Sequence, residues 1–284
     1  MKKPAAKKLT SLLGRSASAG VSLFFLVIIV VPILWVFVSS IKSGYEITSF
    51  PWALPKTPQW VNFNHAWSEA GIGHAFLNSL VVTLATLAIL LPVGAMSAYI
   101  LARYPFRGSS LIFGTFLGGM MFPNFLVIVP LFFLLRTLHI LDTKVGLTVV
   151  YVAYSLSFTV FVLTGFFQTL PGELSEAAMI DGAGHSTTFW KVMLPLAKPG
   201  LIVVGIFNAI GLWNEYSLAL VLVPSEANRT LPLGIANLTM TQQYQSDWGA
   251  LFAGLVIVML PVVVVYSIFR EKINQTMLAG AVKG

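Results

Sequence analysis

Apolar residues run along this chain in blocks too long for the elements of a soluble fold. Charge-free stretches cover 16–41, 70–102, 108–135, 145–172 and 248–269, the shortest being 22 residues long, and a helix needs roughly 20 residues to cross the hydrocarbon of a bilayer. A sixth stretch, 199–225, is as apolar but carries one carboxylate, Glu215. The pattern predicts an all-α polytopic membrane protein with six transmembrane helices. It divides the chain into an amino tail (1–20), a first anchor helix (21–41), an external segment (42–72), a five-helix core (73–269) and a carboxy tail (270–284). Two polar connections stand out within the core, 171–200 and 224–247, and the helix order puts them on opposite faces.

Composition agrees with the pattern: 57% of residues are hydrophobic and 10% charged, far from the roughly 25% charged of a soluble domain. Having no cysteine, the chain cannot carry a disulfide framework, a thiolate metal site or a cysteine nucleophile. The net charge of +7 would suggest nucleic acid in a soluble protein. Here it follows from topology, and we expect no nucleic-acid partner. With both termini inside, twelve Lys and Arg lie on the cytoplasmic side and only Lys42, Lys56, Arg136, Lys144 and Arg229 outside, as the positive-inside rule requires. The first span follows five basic residues, yet its apolar core is longer than a signal peptide's and VSSIKSG offers no cleavage site, so it reads as an uncleaved anchor.

The external segment holds Pro51, Pro55 and Pro58 among Trp52, Trp60, Phe63 and Trp67. Amphipathic aromatics favour the membrane interface, which leaves two readings open: a helix lying on the outer leaflet, or a docking surface for an external partner. No Gly-Lys dipeptide exists to build a phosphate-cradling loop, and neither HExxH nor GxSxG occurs. His65, His74, His139 and His185 are too scattered for a metal cluster. The pattern therefore predicts no catalytic residue and no metal site.

The cytoplasmic connection 171–200 reads LPGELSEAAMIDGAGHSTTFWKVMLPLAKPG from Leu170. It predicts a helix starting near Pro171, with Glu173 and Glu176 at the positive end of its dipole, closed at Asp181-Gly182 by a left-handed glycine. A second helix through Phe189 and Val192 should then stop at Leu194-Pro195. Local pattern leaves an interfacial helix pair without a partner equally open.

The run EAAMIDGAG, followed by Phe189, Leu194-Pro195 and Pro199, resembles the EAA loop of permease subunits of binding-protein-dependent ABC importers. Ala98-Tyr99, Ala102-Arg103, Phe106-Arg107-Gly108, Trp213-Asn214-Glu215 and the ending LAGAVKG are similar to the carbohydrate-uptake class, in the six-helix subunit that resembles the smaller maltose permease. The resemblance implies a type I importer permease fold in a prokaryotic inner membrane, with both termini cytoplasmic. Its partners would be a homologous second permease in a heterodimer, two ATPase subunits and an external sugar-binding protein, all served by the lipid bilayer. ATP and magnesium would sit on the ATPase, so this chain would hold no cofactor and would not be an enzyme. Glu176, Ala177, Ala178, Asp181, Gly182, Ala183, Phe189, Leu194 and Pro195 would couple to that ATPase, and Gly280, Lys283 and Gly284 in the carboxy tail would lie against it.

For the pathway itself, Glu215 is the single charged residue inside a span, where exposure to lipid costs about 2.5–3.5 kcal/mol. Asn208, Gly211 and Glu215 would share one face of a continuous helix, with Asn214 and Trp213 beside them; Asn214 could instead cap an unwound turn and Trp213 anchor the interface. We expect an unpaired carboxylate in a sugar-conducting path, the alternative being a partner buried against it whose loss would destabilise the protein. An ion-coupled secondary transporter and an ABC importer for a polyol or glycerol phosphodiester are the competing readings.

Overall fold

The computed structural model describes residues 4–245 and 247–281, all helix and turn with no strand among them. The helices are α1 Pro4–Ser40, α2 Gly44–Ser49, α3 Val61–Asn64, α4 Ile72–Arg103, α5 Ser109–Met121, α6 Asn124–Thr137, α7 Lys144–Thr169, α8 Glu173–Ile180, α9 His185–Thr188, α10 Leu194–Leu196, α11 Lys198–Trp213, α12 Ser217–Leu222, α13 Leu231–Gln245 and α14 Trp248–Ala281. Among the described residues four helices are long and apolar enough to cross a membrane unbroken, and counting each of two bent pairs as one span gives up to six.

The bent pairs refine the predicted spans. The third stretch, 108–135, forms α5 and α6 at 105° to one another. Pro123 explains the break, because its ring drives the preceding residue out of the helical region; Phe122 is extended at φ −80°, ψ 123°. The other pair joins residues 185–196 to α11 at 72°. Here the predicted stop at Leu194-Pro195 is corrected: the helix runs on to Leu196. A π-helical turn over Phe189–Met193 immediately precedes α10, and its wider winding relieves the conflict between Pro195 and the turn before it.

The chain divides into two units, residues 1–70 with 238–257 and residues 71–237 with 258–284. In the first, α1 exposes its apolar residues from Val21 to Val31, a surface that lipid covers without penalty. Beyond Ser40 the segment 42–72 is folded rather than one surface helix. Three prolines limit it to the short α2 and α3 and a π turn at His65–Glu69. Lys42 is 0% exposed there, its ammonium donating to the Phe50 and Pro51 carbonyls at 3.1 and 2.9 Å. Asn62 donates to the Ser40 and Lys42 carbonyls at 2.9 and 2.8 Å. Ser43 and Glu46 form a reciprocal capping box on α2. The backbone N–H groups of Lys56 and Ser43 hold the Glu46 carboxyl below the usual carboxylate range. Around this polar knot the aromatics face outward, Trp52 being 76% exposed.

The second unit is organised on α4 and α7, which approach closely at Gly94. A Cβ there would stand 2.4 Å from Thr159 Cγ2, so only glycine admits that contact. On α5, a Cβ at Gly119 would stand 2.6 Å from Ser157 Oγ. The α11 helix completes the packing, with Gly200 against the ring of Phe166 and Gly205 against Leu91. Two apolar clusters stand out among the described residues. One gathers Ala95, Tyr99, Leu163, Phe167, Phe189 and Met193; the other gathers Val82, Leu147, Tyr151, Leu212, Leu218 and Leu222.

Candidate functional site

The 171–200 connection is built as a projecting helix with a firm anchor behind it. No residue of α8 is buried, and Ile180 at its tip is 86% exposed. Glu173 and Glu176 occupy the first turn, where their charge opposes the helix dipole. The closing turn follows the Schellman pattern, Ala183 N donating to Ala178 O at 2.9 Å and Gly182 N to Met179 O at 3.0 Å, with Gly182 at φ +84°. That arrangement leaves Glu176, Ala177, Asp181 and Gly182 exposed and Ala178 and Ala183 half-buried.

Phe189 sits elsewhere. It is buried against Tyr99, with ring centroids 5.2 Å apart, and belongs to the core cluster that includes Phe167 and Met193. It therefore holds the loop to α4 and α7 rather than facing outward. Leu194 is half-buried beside the same cluster, and Pro195 is exposed at the bend. Two further ties were not named from sequence: the Arg103 guanidinium donates to the Leu170 carbonyl that ends α7, and Tyr104 Oη is hydrogen-bonded to His185 Nδ1 at 3.0 Å. The aromatic and basic residues closing the second span, Tyr99, Arg103 and Tyr104, were the signal for them. Of the tail residues, Lys283 and Gly284 lie outside the described residues, and Gly280 falls within the last turns of α14.

The fifth span breaks where its charge lies. The α11 helix ends at Trp213, and α12 begins at Ser217, so Glu215 does not continue the helical face of Asn208 and Gly211. Nor is it unpaired, which corrects the expectation from sequence. Its carboxylate accepts from Tyr151 Oη at 2.6 Å, Leu218 N at 2.7 Å and Ala219 N at 3.1 Å. The break creates this need: a helix start exposes N–H groups without partners, and in an apolar setting they must be satisfied within the protein. Asn214 serves the other side, its Nδ2 donating to Ile210 O at 2.8 Å in the last turn of α11. Trp213 is buried, stacked edge-on against Phe76 at 5.2 Å and donating from Nε1 to Val258 O at 3.2 Å.

Asn208 is the predicted path residue that lines a cavity. It lines a half-open cleft of about 290 Å³ with Gly119, Met120, Tyr154, Ser155 and Phe158. Both amide hydrogens are used, one on Thr159 Oγ1 at 3.0 Å and one on Val204 O at 2.9 Å. Gly211 is exposed, and a Cβ at that position would meet no atom within 4 Å. The α7 contributors escaped notice in the sequence, although Tyr154, Ser155 and Phe158 follow helical spacing in an otherwise apolar run.

The sequence profile of the family described as binding-protein-dependent transport system inner membrane component matches residues 90–278. The chain is 45% identical over 254 residues to the diacetylchitobiose uptake system permease protein of Streptomyces coelicolor, covering 89% of this chain and 84% of that one. It is 35% identical over 253 residues to the trehalose transport system permease protein of Mycobacterium tuberculosis, covering 89% and 92%. Among solved structures it is similar to a chain of a bacterial ABC transporter involved in import of the acidic polysaccharide alginate. There the TM-score is 0.77 at 23% identity, covering 95% of this chain and 99% of that one, and the likeness speaks to the fold alone.

Proposed function

The chain belongs to the binding-protein-dependent transport system inner membrane components, and from that premise we propose that it is one permease half of an ATP-driven sugar importer. The observation that carries the reading is α8: a short helix with an exposed apolar tip, closed by a left-handed glycine and anchored through Phe189 to the ends of α4 and α7. A helix so held has the form of a lever that another protein pushes. We assign that protein as an ATPase dimer carrying ATP and magnesium, with no cofactor on this chain and no catalysis by it. A homologous second permease completes the pathway, and both termini lie in the cytoplasm. ATP binding draws the two coupling helices together, and the bundle alternates between inward-open and outward-open states while an external binding protein delivers the solute.

The relatives named for diacetylchitobiose and trehalose uptake support an uncharged disaccharide as the solute. Deleting this chain from its cell should abolish uptake of radiolabelled sugar from a panel containing both disaccharides, and a plasmid copy should restore it. Undiminished uptake of every sugar in the panel, together with loss of glycerol phosphodiester or polyol uptake, would transfer the assignment to that other solute class.

A further inference from the structure

We propose that the cleft between α5, α7 and α11 is a subsite on this chain for one ring of an uncharged saccharide, an inference that rests on the transport reading above. Its size is the first argument. About 290 Å³ lies just below the roughly 300–1,000 Å³ of small-ligand pockets, enough for a single ring and too little for a chain.

Its chemistry is the second. A pyranose has apolar C–H faces and a rim of hydroxyls, and the cleft offers a partner to each. Tyr154 stands 48% exposed with Phe158 one helical turn on, an aromatic surface for the ring face. The polar atoms are set for hydroxyls. With both Asn208 hydrogens already committed to Thr159 and Val204, its Oδ1 is left as an acceptor for a sugar O–H. Thr159 is in turn fixed by its own bond to Ser155 O at 2.8 Å, so the acceptor is held in place before any ligand arrives. The hydroxyls of Ser155 and Tyr154 make no hydrogen bond among the described residues and serve as donor or acceptor.

Charge is the third argument. None of the six lining residues is Asp, Glu, His, Lys or Arg. A carboxylate or phosphate entering the cleft would shed water without meeting a counter-charge, so the subsite selects against acidic sugars and phosphodiesters.

The chain has no cysteine, which makes thiol labelling a clean test. The complete transporter, carrying Met120→Cys in this chain, would be treated with a thiol reagent, and modification read on the peptide containing residue 120. Protectants would be N-acetylglucosamine, glucose, diacetylchitobiose and trehalose, set against glucuronate and glycerol phosphate. A sugar present at ten times its dissociation constant leaves about one site in eleven free, so labelling should slow about tenfold. At least one uncharged sugar should protect to this extent and neither anion should. Adding Tyr154→Ala should remove the protection, Tyr154→Phe should keep most of it, and a Leu174→Cys reporter on α8 should be insensitive to sugar. Saturation-transfer NMR on the unmodified transporter provides a second readout, with transfer from aromatic protons to the sugar expected in the parent and lost in Tyr154→Ala. Absence of protection and transfer by all four uncharged sugars, equal protection by an anion, or persistence in Tyr154→Ala would overturn the subsite. The assay is an equilibrium one without ATP, so its outcome is separate from that of the uptake experiment.

Discussion

Glu215→Ala is expected to lower the amount of folded permease in the membrane and to depress the melting temperature of the purified transporter, before any question of transport arises. The substitution removes one acceptor from three donors at once. The Tyr151 hydroxyl, on a side chain only 1% exposed, and the N–H groups of Leu218 and Ala219 all lose their partner. Hydrogen bonds to a charged group contribute roughly 1.5–3 kcal/mol each, and stranding a buried hydroxyl costs about 1–3 kcal/mol; sharing among the three makes the sum less than additive, so a net loss of about 3 kcal/mol is expected. Glu215→Gln keeps one acceptor oxygen and should fall between the two. Tyr151→Phe in the Glu215→Ala background removes the stranded hydroxyl and should recover part of the loss. The check is fluorescence-detected size exclusion of the detergent-solubilised transporter across a temperature series. Parental abundance and melting temperature for Glu215→Ala would show that these bonds do not support the fold.

Gly182→Val should separate assembly with the ATPase from insertion of the permease. At φ +84° the backbone of Gly182 is in the left-handed region, where a β-branched residue is strained by about 1–2 kcal/mol or more. No neighbouring atom lies within 4 Å of the added Cβ, so the strain is purely of the backbone and is relieved by opening the Schellman turn. An opened turn misplaces Ile180 and the exposed edge of α8. Permease abundance should hold, while co-purification of the ATPase falls about tenfold for each 1.4 kcal/mol passed on to docking. Gly182→Asn tolerates the same conformation and should retain most of the binding. Full ATPase recovery and normal uptake with Gly182→Val would show that this turn takes no part in docking.

Much of this architecture is legible in the sequence because the bilayer imposes a coarse rule: long charge-free runs must be helices. The closing turn of α8 is equally legible, since Asp181-Gly182 is a local signal and the cap it forms is local. What escapes is whatever depends on contacts between distant residues. Glu215 and Tyr151 lie 64 positions apart, Asn208 and Thr159 lie 49 apart, and no periodicity within one helix reports either pair. Reading Glu215 as unpaired assumed that its helix continued past Trp213; the break made it a cap. Lys42 is a related case. A lysine beside a span usually stays in water, but here the prolines fold the segment back so that the Phe50 and Pro51 carbonyls enclose its ammonium. The bend at Pro123 was visible as a residue type, yet the charge-free run around it concealed that one apolar stretch forms two helices.

On the reading proposed above, ATP hydrolysis on a separate subunit, not an ion gradient, drives solute through this chain. The measurement is radiolabelled disaccharide uptake into proteoliposomes holding this chain with its second permease and ATPase pair, with binding protein and sugar on one side of the membrane and ATP on the other. The account predicts uptake only when hydrolysable ATP and binding protein are both present, unchanged when proton and sodium gradients are collapsed. Uptake that proceeds without ATP and follows an imposed ion gradient would contradict it.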